Sequence, residues 1–302
     1  MKAVFYISII LSCLSLGCKG DLIIVDDNEA PDYSGVSTLK IQNYVNRICI
    51  DILGREPVDV EMDAWVLELR DGELQKDART TLVRRLMEST DSVAGDTSYK
   101  HAYYSRLYDQ MKVRFLEGAG DGILRQRRSL FVSAAEKDSL NGNWAAYHAA
   151  RFEMGKLSNV LRSRAGLRED AINMFDMAGY MLFNSVYDEI NMNSINFIRA
   201  SYNDLFFRFH TQEEFDRAFQ IIEFSQPQIL FGQSAGNKLE YIEVLTGTRE
   251  AYEATIRWAY QGLLARDPSA VEISISIEDF FQTNDYQKVQ RDILITDEYA
   301  RF

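Results

Sequence analysis

The chain has 302 residues, 46% of them hydrophobic and 12% aromatic, with a net charge of −12. That length and apolar fraction allow one large buried core or two smaller ones, and exclude a chain too polar to fold. The acidic balance works against phosphate backbones and anionic headgroups, so no nucleic-acid partner is expected and any membrane contact is expected through a lipid.

At the start, Lys2 precedes a mostly apolar run from Ala3 to Leu16, and Leu14-Ser15-Leu16-Gly17-Cys18 puts a small residue directly before a cysteine. The run is too short to span a bilayer as a mature helix. It reads as a lipoprotein signal peptide over residues 1–17, with Cys18 as the lipidated first residue of the mature chain. The order Ser15-Leu16 departs from the commonest lipobox, and Cys13 is the weaker candidate; an ordinary secreted protein and a retained anchor are the competing readings. Cleavage removes one basic residue, Lys2, and leaves a mature net charge of −13. The address implied is the outer membrane of a Gram-negative envelope, with the periplasmic and cell-surface faces both open. Cys13 leaves with the signal and Cys18 carries the lipid, so no disulfide framework is expected, and Cys49, inside Ile48-Cys49-Ile50, is expected to pack as a small hydrophobe.

Residues 18–38 carry Asp21, Asp26, Asp27, Glu29, Pro31 and Asp32 with Ser34-Gly35 and little apolar content, the composition of an acidic tether. From Thr38 onward apolar residues recur three and four apart, as in Val45, Ile48, Ile52 and Leu53, and prolines are few. Helix is therefore the dominant expectation. One segment, Val271 to Ile277, shows the two-residue period of a strand, yet its helical neighbours make helix the better reading.

A phrase then occurs three times. Ile52-Leu53-Gly54-Arg55-Glu56-Pro57 is followed by Glu61, Leu205-Phe206-Phe207-Arg208-Phe209-His210 by Glu214, and Leu263-Leu264-Ala265-Arg266-Asp267-Pro268 by Glu272. In each, an apolar pair ends two residues before arginine and glutamate comes six residues after it. The apolar pair closes the buried face of one helix, Gly54 or Ala265 permits a left-handed cap, and Pro57 or Pro268 can open the next helix. Glutamate falls near the first turn of that helix, where the dipole favours negative charge. Arginine is placed to bond the outgoing helix's carbonyls or to pair with the glutamate, so Arg55–Glu61, Arg208–Glu214 and Arg266–Glu272 are expected as structural clamps; binding of an anionic ligand is the other reading. Looser agreement continues downstream into Ser89-Thr90-Asp91, Thr248 and Thr296-Asp297-Glu298-Tyr299, which makes each copy a helical unit of roughly fifty residues.

The pattern resembles the small helical module of bacterial extracellular proteins of unknown function, and phycobilisome linker domains carry a similar Leu-Leu-Gly-Arg-x-Pro turn. The resemblance implies a helical adaptor that engages other proteins or matrix, with no catalytic residues to carry over. It covers about half the chain in three pieces. The second copy departs from it, with Phe207 in place of glycine and His210 in place of proline, which puts its turn in doubt.

The expected fold is all-α, a bundle or array of about three related helix-turn-helix units, at 39–98, 196–250 and 251–302, with a different helical block at 99–195. In that block Tyr99, Tyr103, Tyr104 and Tyr108 sit at helical spacing, and Asn141-Gly142-Asn143 precedes Trp144. Core packing accounts for such aromatics; Trp144, Tyr103 and Tyr104 as a carbohydrate-stacking surface is the sharper reading. Arg125, Arg127 and Arg128, with Arg162, Arg164 and Arg168, form two basic clusters that read as solvated helix faces. None of His101, His148 and His210 has a glutamate three residues before it, as a di-metal bundle would need. The sequence contains no zinc helix, nucleophile elbow, haem attachment or phosphate-binding loop motif, so no metal and no cofactor are expected. The leading expectation is a non-catalytic scaffold or adaptor lipoprotein binding an envelope protein. A surface glycan-binding lipoprotein and an envelope hydrolase with a carboxylate pair are the alternatives.

Overall fold

The computed structural model describes residues 32–93 and 96–302, so Cys18, the signal segment and most of the tether lie outside the described residues. From Val36 to Phe302 the chain forms one unit. Among the described residues it is all-α apart from one small hairpin: fifteen α-helices make an array of three related helix-turn-helix units with a helical insertion. Residue ranges are α1 Thr38–Ile48, continued by a π-helical turn Cys49–Leu53, α2 Asp59–Asp71, α3 Lys76–Glu88, α4 Tyr99–Leu116, α5 Asp121–Leu140, α6 Trp144–Arg168, α7 Met174–Leu182 and α8 Ser185–Asn191. The second half contains α9 Ser194–Phe206, α10 Gln212–Phe224, α11 Lys238–Thr246, α12 Arg249–Leu264, α13 Ala270–Thr283, α14 Tyr286–Leu294 and α15 Asp297–Ala300.

Most helices start where a short polar side chain can satisfy an orphan amide. Ser98 Oγ accepts from the His101 amide, Thr248 Oγ1 from Ala251 and Thr296 Oγ1 from Tyr299. Thr211 and Ser269 go further and form reciprocal capping boxes with Glu214 and Glu272. The segment from Val271 to Ile277 lies within α13, because Ile273 and Ile277, four apart, are buried while Val271 and Ile275 face solvent. The two-residue alternation is thus two faces of a helix, the element its neighbours indicated.

The hairpin is an addition to the sequence reading. Gln228–Leu230 (β1) pairs antiparallel with Gln233–Ala235 (β2), Leu230 opposite Gln233, around Phe231-Gly232. Both turn residues have positive φ, 49° and 77°, as a tight two-residue hairpin requires. Three-residue strands carry too little alternation to announce themselves, and Phe231 sits where asparagine or aspartate would be the usual signal.

The helix α4 ties the three units together. Its Tyr99 hydroxyl donates to Glu61 of the first unit at 2.7 Å, its Tyr103 hydroxyl to Gln290 of the third at 2.6 Å, and its Arg114 to the Asp204 and Leu205 carbonyls at the end of α9 in the second. A boundary at residue 99 therefore does not separate packing units; the part that departs from the repeat is α5 to α8. The first unit also docks on the third: Tyr44 Oη donates to the Leu294 carbonyl at 3.1 Å, Arg47 to the carbonyls of Tyr299 and Leu263, and Tyr299 Oη to Asp51. Cys49 is fully buried in this seam, and burial, with the Glu61 charge behind it, pushes its thiol up to about 12, so it packs as a neutral hydrophobe.

All three arginine turns share one backbone device. Gly54, Phe207 and Ala265 end their helices in the left-handed region, with φ of 75°, 54° and 56°. Phe207 thus adopts the same turn as its glycine and alanine counterparts, and the doubt over the second copy is removed. A side chain in this region costs about 1 kcal/mol. Ala265→Gly is accordingly expected to raise stability by up to about 1 kcal/mol, the relief exceeding the added freedom of the unfolded chain. Gly54→Ala should lower it by about 1–2 kcal/mol, since the new Cβ would also meet Arg106 Cδ at 3.2 Å. Urea melts of the two variants and the parent measure the order; the reverse order would remove the left-handed cap as a determinant.

Candidate functional site

Each repeated arginine grips its glutamate with both terminal nitrogens. Arg55 Nη1 and Nη2 donate to Glu61 at 2.8 and 2.8 Å, Arg208 to Glu214 at 2.9 and 2.7 Å, and Arg266 to Glu272 at 3.0 and 2.7 Å. The same Nη1 also donates to the carbonyl of the following residue, Glu56, Phe209 or Asp267, which fixes the turn. The glutamate in turn accepts from a backbone amide at the start of the next helix, that of Val58, Thr211 or Ser269. Fork geometry of this kind is available to arginine and not to lysine.

A second carboxylate completes each clamp, and sequence reasoning missed it. Arg55 Nε lies 2.7 Å from Asp96, Arg208 meets Glu250, and Arg266 Nε lies 2.6 Å from Glu298. Glu250 and Glu298 stand two residues after the caps Thr248 and Thr296, while Asp96 stands two before Ser98. The clamp therefore joins the start of one helix to the start of the helix two places further on. The signal available was the Thr-x-Glu pair that opens a helix, Thr248 with Glu250 and Thr296 with Glu298.

The three clamps differ in depth. The Glu61 side chain is 3% exposed, that of Glu214 19% and that of Glu272 29%. Burial pushes the Glu61 carboxyl up, but bonds from Arg55, Tyr99 and the Val58 amide together hold it below the usual glutamate range. At the shallow site the Arg266 guanidinium draws Glu272 down to about 2. Arg114 is a different case: burial draws its guanidinium down to about 10, and it is held between the rings of Phe207 and Trp258, its centre 4.5 and 5.1 Å from their centroids.

The stacking candidates are not brought together. Tyr103 and Tyr104 are buried at 1% and 6% exposure in the root of α4, with both hydroxyls hydrogen-bonded, to Gln290 and Gln287. Neither offers an open ring face to a sugar. Trp144 is exposed at the start of α6 beside Tyr147, whereas Arg168 at the other end of that helix bonds His101 of α4. The 24 residue steps from Trp144 to Arg168 place the indole about 36 Å along the helix from that contact.

That helix and α5 form a long antiparallel hairpin, an arm about 30 Å in length. Only Leu124 and Ala135 of α5 are buried, and it packs chiefly on α6. Leu130, Leu140, Trp144 and Phe152 of the arm are all more than half exposed. The two arginine clusters meet here: Arg128 Nε donates to Ser158 Oγ at 2.7 Å, which brings residues 125–128 level with residues 158–162.

Among the described residues, several clefts lie around this frame. One of about 570 Å³ at the root of the arm is lined by Phe152, Lys156, Tyr180, Phe183, Leu239 and Ile242. A second, of about 550 Å³, is walled by Tyr103 and Tyr104 with Asp170, Asp176 and Asp285. Two of these carboxylates cap helices, Asp176 accepting from the Asn173 amide and Asp285 from Lys288. A third, of about 340 Å³, joins Asp51, Arg106, Asp109 and Trp258, with Asp51 taken by the Tyr299 hydroxyl. Among the described residues no group of three or more histidine, cysteine, aspartate and glutamate side chains could hold a metal ion, and no helix is long and apolar enough to cross a membrane.

Two outcomes follow from the clamps. Arg55→Ala, which strands the buried Glu61, should destabilise by about 2–4 kcal/mol, against about 1 kcal/mol for Arg266→Ala at the exposed site. Because Glu272 ionises lower in the folded chain than in the unfolded one, its contribution is complete above about pH 5 and is lost as the pH falls toward 2. Glu272→Gln should therefore flatten the acid limb of the stability profile while leaving Arg55→Ala the less stable variant at pH 7. Equal losses for the two arginines in thermal melts would overturn the depth ranking. No protein-family model, no curated protein and no solved structure matches the chain, so its function rests on the geometry alone.

Proposed function

We propose that the chain is a non-catalytic, lipid-anchored protein of the outer membrane that holds a partner protein in a cell-envelope assembly. The observation that carries this reading is the α5–α6 arm. A stable monomer has little reason to hold Leu130, Leu140, Trp144 and Phe152 in water on a helical hairpin whose helix α5 packs chiefly on α6. Exposed tryptophan and leucine on a rigid support are the groups that dominate protein interfaces once covered. The clamps and α4 give that support. Lipid attachment at Cys18 would raise the arm's effective concentration beside other envelope components. The glycan-binding reading is the weaker one, because Trp144 alone of its three aromatics is exposed.

Cross-linking capture of the tagged chain from intact envelopes should recover one stoichiometric partner, and Leu140→Ala with Trp144→Ala should reduce its recovery about tenfold with an unchanged melting temperature. Recovery of the chain alone, together with specific binding on a glycan array, would replace this reading with the carbohydrate one. For the anchor, Cys18→Ala should release the protein from the membrane fraction; full retention, with no lipid mass on the N-terminal peptide, would sink it.

A further inference from the structure

Six residues of α6, Trp144, His148, Arg151, Gly155, Ser158 and Arg162, follow one another at alternating intervals of four and three. That spacing keeps side chains on one helical face and is the seam into which a second helix packs. The face is open: Trp144, His148, Arg151 and Arg162 are exposed, and a Cβ built on Gly155 would meet nothing within 4 Å. Its middle is small and open at Gly155, so another backbone can approach closely there, while Ser158 beside it carries the Arg128 side chain. From α5, Arg128 bonds Ser158, and Arg125, one turn nearer the start of α5, falls level with Arg162 because the two helices are antiparallel.

The charge on this arm is opposite to that of the chain. Residues 121–168 hold nine lysines and arginines against four aspartates and glutamates, a net +5, while the rest of the chain holds 24 against 41, a net −17. Two of the arm's four carboxylates are engaged in ion pairs, Asp121 with Lys112 and Arg125, and Glu153 with Lys156. Among the described residues Arg128, Arg151 and Arg162 take part in no ion pair.

We infer that this face of α6 binds an acidic amphipathic helix of the partner, an inference that rests on the adaptor reading. The small centre takes the incoming helix, Trp144 anchors one end, and Arg151 and Arg162 meet its flanking carboxylates. Two arms of this chain would bring +5 against +5, which disfavours pairing of like arms. A single-stranded polyanion is bound by a series of exposed rings, and this seam has one indole, at its end.

The test uses the full chain carrying Cys18→Ala and two fluorescent probe peptides of about three heptads, both with leucine at the a and d positions, one flanked by glutamate and the other by lysine. The glutamate peptide should bind at least about tenfold more tightly, a difference of about 1.4 kcal/mol, and salt should weaken it. Arg151→Glu with Arg162→Glu should reverse the preference without moving the melting temperature, and Gly155→Leu should abolish binding of both. Equal affinity for the two peptides, or none for either, would overturn the inference. So would failure with both peptides alongside binding to heparin or to phosphatidylglycerol vesicles, which would make the seam a polyanion site. If envelope capture persists undiminished in Arg151→Glu with Arg162→Glu, this inference fails and the adaptor reading stands; if the peptide binds but no partner is captured, the reverse holds.

Discussion

The arrangement turns on a guanidinium held by two carboxylates across a left-handed turn. At Arg55, Arg208 and Arg266 the fork closes on a glutamate at the start of the next helix, while Nε reaches a carboxylate near the start of the helix beyond. Such a contact ties three helices at once, the one that ends at the turn, the next, and the one two places beyond that. An apolar helix face can slide against its neighbour at little cost, but a planar fork with five directed donors cannot. The left-handed residue before each arginine is what aims the fork, which is why Phe207 and Ala265 tolerate a conformation that glycine adopts freely.

Clamps order each unit, and α4 makes one core of the three. Its tyrosines and Arg114 spend their polar atoms on Glu61, Gln290 and the end of α9. Arg114 replaces water at carbonyls that a helix end leaves unpaired, and its burial is tolerated because those carbonyls and the flanking Phe207 and Trp258 rings surround the charge. Arg47 does the same for Leu263 at the end of α12. Loss of α4 would therefore expose polar atoms in all three units at once, which ties their stabilities together more tightly than neighbour contacts alone would in a repeat array.

How much of this could be read from the residues depends on sequence distance. Arginine and glutamate six apart are visible to the eye, and the helical period of the surrounding apolar residues fixes the fold class. The second carboxylates come 42 residues after Arg208 and 32 after Arg266, beyond any local pattern. Nothing beside Arg47 or Arg114 distinguishes them from solvated arginines; their role exists only once another helix ends against them. Tyr103, Tyr104 and Trp144 belong to one residue class in sequence, yet helix ends some tens of ångströms apart give them opposite fates, two in the core and one in water. The hairpin at Gln228–Ala235 fell below the length at which alternation is legible.

Net charge was the most misleading whole-chain quantity. A value of −12 suggests a surface that repels anions everywhere, but it is the sum of an arm at +5 and a remainder at −17. At physiological ionic strength the Debye length is about 8 Å, several-fold shorter than an arm of about 30 Å. A charge placed beside α6 near the tip of the arm is therefore influenced mainly by the arginines of the arm and is largely screened from the acidic remainder. The two basic clusters, 34 residues apart between Arg128 and Arg162, look like unrelated solvated faces until antiparallel packing sets them at one level. Charge segregation of this kind costs stability through crowding of like charges, and it is retained most economically where an opposite charge on another molecule relieves it.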